Sequence, residues 1–105
     1  SVAIAREHLA TALQRLGNAP EASSHWTAAL NVYRDLSRRD AGNVQAKCDA
    51  ARAEEAIGDL SNPSTIACRS WPTSLDILRP LAETGTACAS AGAMSRIVNK
   101  LKLCG

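Results

Sequence analysis

Ala22-Ser23-Ser24-His25-Trp26-Thr27-Ala28-Ala29-Leu30-Asn31-Val32-Tyr33-Arg34-Asp35-Leu36 decides the fold, because 45 residues later the chain repeats its pattern as Ala67-Cys68-Arg69-Ser70-Trp71-Pro72-Thr73-Ser74-Leu75-Asp76-Ile77-Leu78-Arg79-Pro80-Leu81. Ala22, Trp26, Ala29, Leu30 and Tyr33 fall at steps of three and four. That spacing lines one face of a helix and no face of a strand. Ala67, Trp71, Ser74, Leu75 and Leu78 keep the same phase in the second copy. Two copies of one amphipathic helix imply a repeat architecture in which like helices meet like neighbours.

Working outward, the segment before the first copy carries its own stripe: Val2, Ala5, Leu9, Ala12, Leu13 and Leu16. The last segment carries Met94, Ile97, Val98 and Leu101. The chain therefore reads as all-α, with helices over 2–16, 20–39, 43–57, 63–83 and 91–104. Leu16-Gly17-Asn18 matches Ile57-Gly58-Asp59 at a shift of 41, which places a four-residue insertion within Ser61–Thr65. Leu103-Cys104-Gly105 echoes the same turn entrance. Gly17 and Gly58 are expected at left-handed helix ends, Gly42-Asn43 as a stop and an N-cap, and Asn62-Pro63 as a cap with proline in the first turn. Pro72 and Pro80 each remove a helical hydrogen bond. Either the fourth helix kinks, or it begins at Pro72 after an irregular 59–71; the phase match of Trp26 and Trp71 favours the kinked helix.

In pairing a helix with small packing residues and a second helix carrying Ala-x-x-x-aromatic and a further small residue, the chain resembles the tetratricopeptide repeat (TPR) family. Leu9-Ala10, Leu13, Gly17, Ala22, Trp26 and Ala29 carry the likeness in one copy; Ala50-Ala51, Gly58, Ala67, Trp71 and Ser74 carry it in the other. Arg6 and Lys47 stand where the family's first aromatic usually lies, the closing proline is missing, and the period is longer than the family's usual one. The resemblance implies one domain: repeat 1 over 2–40, repeat 2 over 43–84 and a capping helix over 91–104. Ser74–Ala82 is also similar to the last repeats of such arrays at the end of bacterial signalling proteins, among them multidomain kinases.

The family's partners dock on the concave side lined by first helices. The resemblance thus implies a surface of Glu7, His8 and Thr11, then Cys48, Asp49 and Arg52, then Ser95, Arg96 and Asn99. Within it, His8, Thr11, Arg52, Arg96 and Asn99 form the candidate patch for a protein or peptide, since arginines on adjacent helices grip carboxylates with paired hydrogen bonds. The Lys and Asn clamp that some members use for a peptide C-terminus has no counterpart at Glu7, Thr11, Cys48 and Arg52. The alternative is a structural end-cap of a longer array, or a regulatory domain of a kinase-like signalling protein, with other domains of a longer parent chain as its partners.

Composition sets the remaining bounds. Hydrophobic residues make up 46% of 105 residues and aromatics 3%, which suits Ala- and Leu-based helix packing in one domain. A net charge of +2 is too mild for a nucleic-acid surface. No apolar run is long enough for a membrane helix. His8 and His25 lack metal spacing, no Gly-x-Ser-x-Gly elbow or phosphate loop occurs, and adjacent Glu54-Glu55 point in different directions on a helix. No enzyme, cofactor or metal site is therefore expected. Cys48, Cys68, Cys88 and Cys104 contain no C-x-x-C pair. They read either as a disulfide set in a secreted domain or, as the favoured reading, as reduced core residues in a cytoplasmic protein. Cys68 and Cys104 are expected side by side, at the start and end of antiparallel neighbours; Cys48 is expected too far from both, and Cys88 lies in a linker.

Overall fold

The computed structural model describes residues 2–61 and 65–104. These form five α-helices: α1 (Val2–Arg15), α2 (Ala19–Arg39), α3 (Val44–Leu60), α4 (Ala67–Glu83) and α5 (Ala91–Leu101). Short 3-10 turns follow at Ala87–Ala89 and Lys102–Cys104, and no strand occurs among the described residues. The all-α expectation holds.

Local sequence fixes most helix starts. Asn18, Asn43 and Ser90 cap α2, α3 and α5, each side-chain oxygen accepting from the amide three residues on. Pro20 sits in the first turn of α2, where no amide donor is missed. Gly17 ends α1 with φ of +79°, as expected of a glycine there. The α4 helix is continuous through Pro72 and Pro80 and starts at Ala67, so a helix beginning only at Pro72 is excluded, and the expected start at 63 moves to Ala67. The expected Asn62-Pro63 cap lies outside the described residues, as does Gly105 of the third turn echo.

Sequential helices pack antiparallel. Trp26 Nε1 donates to Gln14 Oε1 at 2.9 Å, near the end of α1, while Tyr33 OH, farther along α2, donates to Glu7 nearer the start. In the second pair Trp71 Nε1 donates to Asp59 Oδ1 at 3.0 Å, and Ser74 Oγ to the Ala51 carbonyl at 2.8 Å. Gln14 and Asp59 differ by 45, as do Trp26 and Trp71. One 45-residue period therefore relates both pairs, and it replaces the expected 41-residue match with an insertion. Gly58 is not a helix end. It lies inside α3 with the Trp71 indole stacked on it, and a Cβ there would come within 2.5 Å of Trp71 Nε1.

The apolar interior has two centres. Ala10, Ala22, Trp26, Leu30, Tyr33 and Ile57 build one between α1, α2 and α3. Cys48, Trp71, Leu75, Leu78 and Ile97 build the other between α3, α4 and α5, and Ile77 touches both. On α5, Ile97 is fully buried with Met94 and Leu101 beside it, whereas Val98 is exposed. The α1 stripe is a larger departure. Its buried residues are Ala3 and Ala10, while Val2 and Leu16 remain 72% and 81% exposed and Leu9 is also open. The helix has two apolar faces, and α2 covers the smaller-residue one.

All four cysteines are paired. Cys68 and Cys104 are joined, with Cα atoms 5.8 Å apart, as their antiparallel placement implies. Cys48 pairs with Cys88 at 5.9 Å, which overturns the expectation of reduced cysteines. Cys48 stands in the second turn of α3, level with the far end of α4, and the Ala87–Ala89 turn folds Cys88 back over it.

Candidate partner-binding surface

The candidate residues lie on α1, α3 and α5. The α3 and α5 helices run in the same direction, since Glu55 meets Arg96 and Asp59, one turn on, meets Lys100. Arg52 in turn reaches α1 through Glu7. The α1, α3 and α5 helices thus present polar side chains to one another, and two ionic clusters result.

In the first cluster Arg52 Nη2 donates to Glu7 Oε1 at 2.6 Å and to Asp49 Oδ1 at 2.9 Å. Glu7 also accepts from the Tyr33 hydroxyl. Burial, followed by that hydrogen bond and the charge of Glu7, pushes the Tyr33 phenol well above its ordinary range, so it remains a donor. Partial burial works against the Arg52 charge, but its bonds to Glu7 and Asp49 outweigh it and raise the pKa further. Thr11 is half-buried and its hydroxyl donates to the Glu7 carbonyl, one turn back along α1, at 2.9 Å.

In the second cluster Arg96 grips Glu55 with two bonds, Nε to Oε2 at 2.8 Å and Nη2 to Oε1 at 2.9 Å. Lys100 Nζ adds Glu55 Oε2 at 2.6 Å and Asp59 Oδ2 at 2.9 Å. Burial raises the Glu55 pKa, but the bonds from Arg96 and Lys100 and their charges prevail and hold it below the usual carboxylate value. Adjacent Glu54 points the other way, as the helix geometry requires, and binds Arg34 of α2. Here burial wins over the attraction of Arg34 and a bond from Ser70, and the Glu54 pKa is raised.

Of the five candidates, Thr11 and Arg52 share the first cluster through Glu7, Arg96 belongs to the second, and His8 and Asn99 are exposed. Cys48, placed on this face by the resemblance, is instead buried in its disulfide. His25 is half-buried, with Arg6 Nη1 3.0 Å from its Nδ1. Sequence reasoning missed Glu55, Asp59 and Lys100 as members of this surface. Their signal was present in part, since Glu55, Asp59 and Arg96, Lys100 are i, i+4 pairs of opposite charge on separate helices.

No group of three or more His, Cys, Asp or Glu side chains placed to hold a metal occurs among the described residues, nor does a helix long and apolar enough to cross a membrane. Comparison with protein-family models, with curated proteins and with solved structures gives no match.

Proposed function

We propose that the chain is a TPR-like module, braced by disulfides, that binds a protein or peptide partner on the face of α1, α3 and α5 and catalyses no reaction. The observation that carries this reading is a set of cations fixed in place yet open to solvent. The Arg52 and Arg96 side chains are 46% and 55% exposed although carboxylates hold them. Arg52 spends only Nη2 on its partners, leaving Nε and Nη1; Arg96 leaves Nη1. A ligand oxygen meets donors whose rotamers are already ordered, so less entropy is lost on binding. His8 and Thr11 on α1 and Asn99 on α5 add further polar groups to the same three helices. The two disulfides support an oxidising compartment as the working environment in place of the cytoplasm.

The test is selection of displayed random peptides on the oxidised full-length chain, followed by mapping of the selected peptides by amide chemical shifts. Shifts centred on His8, Arg52 and Arg96, with about tenfold weaker binding of the His8→Ala/Asn99→Ala variant, are expected. Selected peptides that leave all three amides unmoved would remove this face from consideration. A second reading, a segment packed within a longer helical array, is favoured by the exposed Val2, Leu9 and Leu16 on α1.

A further inference from the structure

On the other side of the molecule α2 and α4 flank a groove of about 760 Å³ whose floor is α3. Ala50, Ile77, Pro80 and Leu81 give it an apolar base; Arg34, Arg38 and Lys47 give it a cationic rim, with Asp76 the only acidic lining residue among the described residues. The charges on this rim are not balanced. Buried Glu54 holds Arg34, and Asp76 is held by Arg79. Asp35 is shared by Arg38 and Arg39, one carboxylate between two guanidinium groups. Lys47 is half-buried and meets no carboxylate among the described residues. The rim therefore carries a surplus of two positive charges. The α1, α3 and α5 face is different: Glu7, Asp49, Glu55 and Asp59 outnumber Arg52, Arg96 and Lys100 by one.

We propose that this groove is a second binding site, for a short peptide segment of a partner in which acidic residues flank an aliphatic side chain. The aliphatic group would lie on Ala50, Ile77 and Leu81, displacing water from apolar surface. The carboxylates would meet Lys47 Nζ and the Arg38 guanidinium, both short of partners. An open trough between two long helices suits an extended chain, and a cation at half-burial is screened less than one on a convex surface.

The probe is the capped hexapeptide Glu-Glu-Leu-Leu-Glu-Glu, titrated into the oxidised full-length chain and followed by amide chemical shifts, with Lys-Lys-Leu-Leu-Lys-Lys as the charge-reversed control. Saturable shifts at Lys47, Thr73 and Ile77 are expected, with affinity falling as salt is raised. Lys47→Ala/Arg38→Ala, which changes one half-buried and one exposed side chain, should weaken binding about tenfold, while Lys102→Ala leaves it unchanged. Circular dichroism confirms that the variant is folded. Four outcomes overturn the proposal: equal binding of the basic peptide, parent-like affinity in the folded double variant, shifts at His8, Arg52 and Arg96 with none at Lys47, Thr73 and Ile77, or no shift up to about 1 mM peptide. Since the groove shares no residue with the first-helix face, either site can fail while the other stands.

Discussion

Gly58→Ala is the substitution whose sign tests the packing most directly. In the middle of an otherwise ordinary helix, alanine in place of glycine adds about 1 kcal/mol of stability, because it restricts the unfolded backbone. At this position the added methyl would lie 2.5 Å from Nε1, 2.6 Å from Cδ1 and 3.1 Å from Cε2 of Trp71, whose ring is itself buried. The indole cannot recoil freely: its Nε1 is bound to Asp59, and it packs in the same core centre as Ala67 and Leu75. Overpacking of this kind costs about 1–3 kcal/mol, and a displaced indole gives up its bond to Asp59, worth about 1 kcal/mol. Set against the propensity gain, the net is a loss of about 2 kcal/mol, or about 10 °C in melting temperature for a chain of this size. Thermal unfolding of the oxidised protein, followed by circular dichroism at 222 nm, measures it. A Gly58→Ala variant that melts at or above the parent would refute the close approach of Trp71 to α3. The contrast is Gly17→Ala. Nothing surrounds that position, yet its φ of +79° costs an L-residue about 1 kcal/mol, so destabilisation there comes from backbone strain alone.

Two further outcomes are expected. Under limiting reductant followed by alkylation and mass mapping, Cys68–Cys104 should open before Cys48–Cys88, because Cys104 is exposed while Cys48 is buried; the reverse order would contradict the placement of the Ala87–Ala89 turn. Closing loops with separations of 36 and 40 residues, each bond contributes about 4 kcal/mol on the chain-entropy view, so neither single reduction is silent in a melting curve. Acid sensitivity should trace to Glu55: its folded pKa is depressed, so its contribution is present above the ordinary glutamate value and is lost as pH falls through the folded one. Glu55→Gln should cost about 1–2 kcal/mol at pH 7 in urea unfolding, and the difference from the parent should shrink below about pH 4. Glu54, whose pKa is raised, has the opposite sign. Its contribution falls as pH rises through the folded value, and Glu54→Gln should show no such acid-dependent loss. A constant Glu55→Gln penalty from pH 7 to pH 3 would show that the Arg96 and Lys100 contacts are not what depresses its pKa.

The sequence by itself determined the helices and the equivalence of Trp26 and Trp71, since a 3.6-residue stripe, an Asn or Ser cap and a left-handed glycine are all set by residues within a few positions of one another. It also determined that Cys68 and Cys104 meet, because antiparallel neighbours bring a start and an end to one level. Which face of a helix is covered was a different matter. Val2, Leu9 and Leu16 form as regular a stripe as Leu30 and Tyr33, and only the approach of α2 to Ala3 and Ala10 left them open. The role of Gly58 followed in the same way: glycine that ends a helix and glycine that admits an indole are alike in sequence and are told apart by what lies 13 residues on in the folded chain. Tertiary structure likewise decided the ionic surface. Arg52 and Arg96 were legible as helical cations, but their partners Glu7 and Glu55 stand 45 and 41 residues away, and a charge pair has no period that a linear chain can display. The pairing of Cys48 with Cys88 rests on the path of the Ala87–Ala89 turn, which is fixed by where α4 stops and by the helix it must pack against.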